Sequence, residues 1–352
     1  MDVEQAPMSS RLEREWEDLA RATAAPPFSY PRWHVAWADA FAGRRLTVVT
    51  ARRSRELVAL APVVSARGVV RASANWHTPR YGLLARDDEA LAALAHFLVT
   101  RPRRRLDLTL LDEREPSLAA LADAAQSARR STVERRVARQ PYVDVSGDLD
   151  AFCDALPRKQ LKELGRLERR MRDLGEPALA VNDGSDGLDA ALADGFRLES
   201  SGWKRKRGEA IASTPPLRAF YTDVARWAAE RGWLRLAFLE IDGRRVAFDY
   251  CLEAGDDLFV LKGGFDPELR RVSPGVMLTW AMLKEAFARD VSRYELLGDV
   301  DAYKMSWTDR TRPMWRVQVF GRGALGTAER LAWSRGRPLA KAALEAASDE
   351  RG

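Results

Sequence analysis

A chain of 352 residues is too long for one small module and has room for about two domains of ordinary size. Hydrophobic residues at 46% and charged residues at 31% exclude wholesale disorder. No apolar run reaches the roughly 18–20 residues that a membrane helix needs, and Met1–Arg14 carries acids without the apolar stretch of a signal peptide, so cytoplasmic residence is the default expectation.

Lys and Arg number 57 against 51 Asp and Glu, a net charge of +6. That mild excess suits an anionic ligand such as a nucleotide and permits weak association with nucleic acid. Two cysteines, Cys153 and Cys251, cannot build a disulfide framework or a zinc cluster. The three histidines (His34, His77 and His96) have no paired spacing and all lie in the first half, so no metal site is expected. Acid–base chemistry in the second half must come from Asp, Glu, Tyr, Lys or Cys.

In chain order, Arg11–Ala22 reads as an amphipathic helix, broken by Pro26-Pro27, with a short aromatic helix at Trp33–Phe41. Leu46–Ala51, Glu56–Ser65 and Val69–Ala72 read as strands. Asp87–Val99 is a helix opened by acids, Leu106–Leu111 a strand, Pro116–Ala128 a helix and Thr132–Ala138 a strand. Leu149–Leu174 is a long basic helix interrupted at Pro157; its segment Arg158–Arg172 holds seven Lys/Arg against two Glu. That excess is either a solvated face or a strip that meets an anionic ligand.

The second half repeats the order of elements. Asp186–Glu199 is a helix, and Leu217–Arg231 another, with Leu217, Phe220, Tyr221, Val224, Trp227 and Ala228 on one stripe. Leu234–Ile241, Val246–Glu253 and Leu258–Gly263 are strands, the first pair joined by the hairpin turn Asp242-Gly243. Pro274–Arg289 is a helix, Arg293–Leu297 a strand, Asp301–Trp307 a short helix and Trp315–Phe320 a late strand, before a closing basic helix. The expected fold is α/β, with two similar domains, 1–147 and 148–352, joined by the basic helix 148–175. No residue-level repeat links them.

Candidate chemistry concentrates in the second half. Ser273-Pro274-Gly275 opens a helix: Ser273 can cap it, Pro274 fits its first turn, and Gly275 admits a ligand close to the backbone. The unpaired N–H groups of that turn, with Arg270 and Arg271 just before it, suit a pyrophosphate. The matching helix of the first half opens Asp87-Asp88-Glu89, which would repel a phosphate, so an anionic cofactor belongs to the second half. After the strand Arg293–Leu297 come Asp299, Asp301, Tyr303 and Lys304; Tyr303 is a candidate general acid, Asp299 or Asp301 a base or amine anchor, and Lys304 an anchor for a carboxylate such as Asp299. Asp301 can also cap the short helix. Asp249, an acid in a strand whose neighbours Phe248 and Tyr250 face the other way, is a further candidate base with a raised pKa. Trp203-Lys204 lies in a basic loop able to cover a ligand.

Together these pieces resemble the acetyltransferase-like domain of the CelD-type family, named for cellulose biosynthesis, within the Gcn5-related N-acetyltransferase (GNAT) superfamily. The matching residues are Glu199–Lys204, Ala247, Lys262–Asp266, Ser273-Pro274-Gly275 with Leu278, Gly298-Asp299, Tyr303-Lys304 and Trp307. Leu156–Leu174 is similar to the family's inter-domain helix, and Phe28, Pro31, Trp33, Trp37 and Pro62 to its amino-terminal pattern. The resemblance implies two tandem acetyltransferase-like folds, as in Fem-type aminoacyl-transferases, each a mixed, mostly antiparallel sheet flanked by helices. It implies a splay between Leu258–Gly263 and Arg293–Leu297 that takes pantetheine, with Lys262, Gly263, Arg270, Arg271, Ser273 and Gly275 on the donor. The superfamily's Gln/Arg-x-x-Gly-x-Gly/Ala loop reads here from Arg271 with Gly275 one place late.

The activity so implied is transfer of an acyl group from acyl-CoA, acetyl-CoA foremost, to an amine on a small molecule or saccharide. Tyr303, Asp249 and Asp299 are its catalytic candidates; Trp203, Lys204, Asp301 and Lys304 its substrate-binding ones. The first half would carry no cofactor and would shape the acceptor cleft. Two alternatives stand beside this activity. One is a Fem-like transfer from aminoacyl-tRNA, with the basic helix on RNA phosphates. The other is a non-catalytic module that binds an acyl ligand or polysaccharide-synthesis partners.

Overall fold

The computed structural model describes residues 1–43, 46–102, 104–201, 211–289, 291–331 and 333. The chain forms two compact units, one of residues 1–34, 44–138 and 313–352, the other of 35–43 and 139–312. The expected division at 147/148 is corrected in two places. The chain leaves the first unit within a strand, Thr132–Asp144, and re-enters it within the strand Thr311–Phe320. Pairing is the reason: Val317, Gln318 and Val319 lie opposite Leu108, Asp107 and Leu106, so the late strand completes the first sheet. The closing basic helix expected after it lies mostly outside the described residues.

In the first unit the strands are β1 (Asp2–Pro7), β2 (Leu46–Arg53), β3 (Glu56–Ala66), β4 (Val69–Ala72), β5 (Leu84–Ala85), β6 (Arg105–Asp112), the start of β7 (Thr132–Asp144) and most of β13 (Thr311–Phe320). Their order is β1-β2-β3-β4-β6-β13-β7, with β5 beside β3. The pairs β1–β2, β2–β3, β3–β4, β3–β5 and β6–β13 are antiparallel, and β4 with β6 is parallel. Helices α3 (Asp88–Thr100) and α4 (Pro116–Ser127) bury Leu91, Leu94, Leu98 and Leu121 against Val49, Ala61, Leu106 and Val317. Helix α1 (Ser10–Ala22) and the start of α2 (Pro31–Phe41) bring in Trp16, Phe28, Trp33 and His34, all fully buried. The His34 ring stacks on Trp16 at 5.5 Å, its Nδ1 lies 2.8 Å from Ser73 Oγ, and burial pushes its pKa down to about 4.

The second unit holds the rest of β7, then β12 (Arg293–Glu295), β11 (Asp257–Phe265), β10 (Arg244–Ala254), β9 (Leu234–Ile241) and β8 (Pro177–Asn182), in that spatial order. Only β11 and β12 are parallel. Asp242 and Gly243 turn β9 into β10 with φ of 47° and 75°, as a primed hairpin turn requires. One face is covered by α6 (Arg158–Arg172) and α9 (Pro274–Phe287), through Leu164, Leu167, Met171, Leu278, Met282 and Leu283. The other carries α7 (Leu188–Ser200) and α8 (Pro215–Glu230), whose predicted stripe is buried throughout.

The basic segment is two helices, α5 (Leu149–Ala155) and α6, with Pro157 between them. Far from being a bare tether, α6 seats its apolar face in the second core. Its opposite face exposes Arg158, Lys159, Lys162, Arg169 and Arg170, none of which forms a hydrogen bond or ion pair among the described residues. No described helix is long and apolar enough to cross a membrane.

Candidate active site

The sheet of the second unit opens along one seam. β11 and β12 pair only at Asp257–Arg293, Leu258–Tyr294 and Phe259–Glu295. Beyond Glu295 the chain turns away: Leu296 N donates to Pro141 O at 3.0 Å, and Leu297 and Gly298 adopt left-handed φ of 52° and 63°. Val260–Phe265 continues beside β10 alone. The expected splay is therefore present between the two strands that the sequence marks.

Side-chain alternation decides what faces it. On β10, Phe248 and Tyr250 point toward α7 and α8: the Phe248 ring meets Phe238, and Tyr250 Oη donates to Tyr221 O at 2.9 Å. Asp249 and Cys251 point to the α9 side, and Asp249 is 9% exposed. Opposite Asp249 stands Gly263, where a Cβ would lie 2.2 Å from Asp249 Oδ1. The missing side chain is what lets the carboxylate lie across β11. Gly264 serves α7 instead, since a Cβ there would meet the Glu199 backbone at 2.3 Å.

Tyr303 approaches the same place from the loop after β12. Its ring is 39% exposed, yet its hydroxyl turns inward, bonded to Thr279 Oγ1 and 3.5 Å from Gly275 O. Desolvation of that hydroxyl, reinforced by the nearby Asp249 charge, pushes the phenol well above its ordinary range and keeps it protonated at neutral pH. Tyr294, on β12, is fully buried with its hydroxyl making no well-formed hydrogen bond, and that burial, reinforced by the Asp249 charge, pushes its phenol up. Thr279 and Tyr294 are absent from the sequence reading because each looks like an ordinary core residue.

At the head of α9, Pro274 occupies the first turn as expected. Ser273 is a correction: it sits at φ 48°, ψ 60°, and its side chain makes no capping bond. With that left-handed backbone at Ser273, no side chain among the described residues caps the first turn. Arg270 and Arg271 precede it in the 3-10 turn Pro267–Val272, both exposed and without a hydrogen bond or ion pair among the described residues. Gly275 packs toward Phe265, where a Cβ would sit at 3.4 Å.

The other expected residues scatter. Lys262 lies opposite Tyr250, on the α7–α8 face, with its ammonium 5.8 Å from the Tyr221 ring centre. Asp299 Oδ1 accepts from Arg139 N at 2.8 Å and Val300 N at 2.9 Å, which ties the loop to β7. Asp301 Oδ1 accepts from Lys304 N at 2.8 Å and caps the 3-10 turn Lys304–Ser306, which replaces the longer helix expected there. Lys304 is also corrected. Its ammonium does meet a carboxylate, that of Asp301 at 3.8 Å and not that of Asp299, and it donates to the carbonyls of Leu297 at 2.8 Å and Asp299 at 3.1 Å, which pins the splayed end. Trp203 and Lys204 lie outside the described residues.

The first unit supplies the comparison. β4 and β6 pair in parallel at Val69–Arg105, Val70–Leu106 and Arg71–Asp107, and Leu110 takes a left-handed φ of 61°. Here the gap is filled: Tyr81 N donates to Leu110 O at 2.9 Å, Tyr81 bridges Leu111, and its hydroxyl donates to Pro62 O at 3.0 Å. Helix α3 is capped from within, Asp87 Oδ1 accepting from Ala90 N at 2.9 Å.

A short repeat, invisible in the sequence alone, marks both seams. Arg105-Leu106-Asp107 corresponds to Arg293-Tyr294-Glu295. In each unit β13 supplies an arginine to the acid: Arg316 to Asp107 at 2.7 Å, Arg312 to Glu295 at 2.9 Å.

Residues 158–305 match the family model described as an acetyltransferase (GNAT) domain. No curated protein matches the sequence. Among solved structures, a C-terminal domain (DUF2156) assigned to a lysylphosphatidylglycerol synthetase of Agrobacterium fabrum aligns over 92% of this chain and 96% of its own, at TM-score 0.59 and 13% identity. FemX aligns over 89% of this chain and 96% of its own, at 0.57 and 10%. L-PGS from Bacillus licheniformis covers 91% and 94%, at 0.55 and 10%. At such identities the likeness is one of fold. The chain is thus built of two tandem acetyltransferase-like folds, and residues 158–305, which carry the open seam, are similar to a GNAT acetyltransferase domain.

Proposed function

We propose that the protein is an N-acyltransferase that moves an acyl group from acyl-CoA, acetyl-CoA foremost, to an amine. One observation carries this reading: the seam between β11 and β12 is open and flanked by Asp249, Tyr303 and the uncapped start of α9, while its counterpart in the first unit is closed by Tyr81.

In this reading the donor's pyrophosphate lies on the first turn of α9, held by Arg270, Arg271 and backbone N–H groups around Gly275. The thioester enters the seam, where backbone N–H groups of β11 hold its carbonyl oxygen. Asp249 takes a proton from the attacking amine, and Tyr303 delivers one to the leaving thiolate. Asp299, Asp301 and Lys304 keep the Tyr303 loop in place. Lys262 serves from the opposite face of β11. The finer assignment to the CelD-type family rests on the residues that carry that resemblance, among them Gly263, which admits the Asp249 carboxylate, and Glu199 with Gly264, which pack α7 onto β11.

A second reading, transfer from aminoacyl-tRNA, draws on the exposed cations of α6 and on the fold shared with FemX. Donor binding separates the two. Titration with acetyl-CoA should show saturable binding and raise the melting temperature, since a ligand specific to the folded state stabilises it. Arg271→Ala should weaken binding by about 1–3 kcal/mol, the worth of a charge-assisted hydrogen bond. Asp87→Ala with Asp88→Ala in the first unit should leave it unchanged. Equal losses from both, or no binding of any acyl-CoA, would refute the assignment.

A further inference from the structure

Among the described residues that α9 buries, Thr279 alone is polar; it is 3% exposed, in the company of Met277, Leu278, Met282 and Leu283. A helical threonine commonly turns its hydroxyl back to the carbonyl four residues earlier. For Thr279 that carbonyl is Gly275 O, and the hydroxyl directed there is that of Tyr303, at 3.5 Å. Thr279 Oγ1 meets the Tyr303 oxygen instead. A phenol has one proton to donate. With that proton aimed at Gly275 O, the bond between the two hydroxyls takes the proton of the threonine. We propose that Thr279 is the positioning residue of the acid: it fixes the Tyr303 hydroxyl at the head of α9 and holds the phenolate that remains when the proton departs. This rests on Tyr303 as the acid of the acyl transfer.

Position is the first reason the bond matters. Tyr303 stands just before the 3-10 turn Lys304–Ser306, and its ring is 39% exposed, so packing alone does not fix the ring. Its backbone is tied, with Ser306 Oγ donating to Tyr303 O at 2.6 Å. The far end of the side chain needs a tie of its own, and Thr279 supplies it. Charge is the second reason. When the amine attacks, its nitrogen–carbon bond forms, Asp249 takes the amine proton and the carbon–sulfur bond breaks. The sulfur takes the Tyr303 proton, which gives up only a contact at the outer limit of a hydrogen bond. Burial and the Asp249 charge oppose the phenolate so formed, and the Thr279 hydrogen bond works in its favour. Hydrogen bonds to ionised oxygens are roughly twice as strong as neutral ones. The Thr279 bond therefore tightens toward the transition state, which raises kcat and leaves donor affinity alone. Asp249 then releases its proton to water and Tyr303 regains one from water, so amide and thiol form with no proton gained or lost.

Steady-state kinetics with acetyl-CoA as donor and ethanolamine as the amine probe test the assignment. Thr279→Val keeps the shape of the side chain and removes its hydroxyl. It should lower kcat by roughly 10- to 100-fold, the worth of one hydrogen bond to a charged group, and leave the KM for acetyl-CoA within about twofold, because the bond gains its strength only in the transition state. Thr279→Ser, which keeps the hydroxyl, should restore most of kcat. In a Tyr303→Phe background Thr279→Val should cost nothing further, since Thr279 acts through the phenol. A threonine that merely packs α9 would slow both backgrounds alike. Melting curves identify a valine variant that fails to fold, and Thr279→Ala then carries the same comparison. An unchanged kcat without the hydroxyl, no rescue by serine, or an equal further loss in the Tyr303→Phe background overturns the positioning role and leaves the acid in place. A Tyr303→Phe enzyme as fast as the parent, or a parent that transfers nothing, overturns the underlying reading and the positioning role with it.

Discussion

Removing Arg312 should unfold the second unit at a much lower temperature, and restoring apolar balance should recover it. Glu295 is fully buried at the last paired position before the seam opens. Arg312, itself 9% exposed along its side chain, meets Glu295 through Nε at 3.0 Å and a terminal nitrogen at 2.9 Å, and lies 5.1 Å from the Tyr142 ring centre. Both ions were taken out of water, so the pair as a whole contributes little, but stripping Arg312 leaves the buried Glu295 carboxylate to the longer contact with Arg293 Nε at 4.0 Å. Arg312→Met should therefore cost about 3–5 kcal/mol. In a unit of this size that lowers the melting temperature by roughly 6–20 °C. The double variant Glu295→Leu, Arg312→Met removes both charges and should regain most of the loss. Urea unfolding followed by circular dichroism measures all three proteins. An Arg312→Met loss below about 1 kcal/mol, or a double variant worse than the single, would refute the reasoning.

His34 gives a pH signature in the first unit. Its folded pKa of about 4 lies below the unfolded 6.5, so its contribution is intact above pH 6.5 and is lost as pH falls toward 4, by about 3 kcal/mol; His34→Gln should flatten that part of a stability–pH curve, and an unchanged slope would remove the histidine from the account. Gly263→Ala places a methyl where Asp249 Oδ1 lies, so turnover should fall about 100-fold or more while donor binding holds; unaltered turnover would clear Asp249 of the base role. Gly264→Ala drives a Cβ into the Glu199 backbone, and denaturation should show a loss on the order of 1–3 kcal/mol. Converting Arg166, Arg169 and Arg170 to Gln should leave stability within about 0.5 kcal/mol, since Arg169 and Arg170 are exposed and half-buried Arg166 gives up a surface ion pair with Glu163 on its own helix. With an acyl-CoA donor the parent should show no tRNA affinity at low salt; a steep salt-dependent affinity, flattened in the triple variant, would favour the aminoacyl-tRNA donor.

Much of this fold can be read from periodicity, because its helices bury wide stripes and its strands alternate. The stripe from Leu217 to Ala228 and the Asp242-Gly243 hairpin lie where the pattern puts them. The edge strands escaped. β1 is polar and largely exposed, and β8, Pro-Ala-Leu-Ala-Val-Asn, shows neither clean alternation nor charge. Ser273-Pro274 has the residues of a cap, and only the left-handed backbone at Ser273 reveals that the cap is not made. At the seam, Asp249 and Tyr303 stand out as polar groups in apolar or turn-rich contexts. Thr279 does not, since its importance lies in the Tyr303 hydroxyl that it meets. The Arg-x-acid repeat at Arg105 and Arg293 becomes meaningful only once β13 is known to deliver Arg316 and Arg312.

The closed seam of the first unit has a consequence for how the two folds can diverge. A side chain that merely occupied the gap could be trimmed away by one substitution. Tyr81 is different, because its backbone N–H is joined to Leu110 and its segment pairs with Leu111. Tyr81→Ala would leave a small internal void, with the strand edge still occupied. Reopening the gap would require the whole connection from Ser73 to Leu83 to move, which would strand Tyr81 N–H and Leu110 C=O together and break the Ser73 and Tyr81 contacts to Pro62. No single substitution leads back through that cost. Because the chain's own backbone runs through the gap, exchange of a single side chain cannot open it.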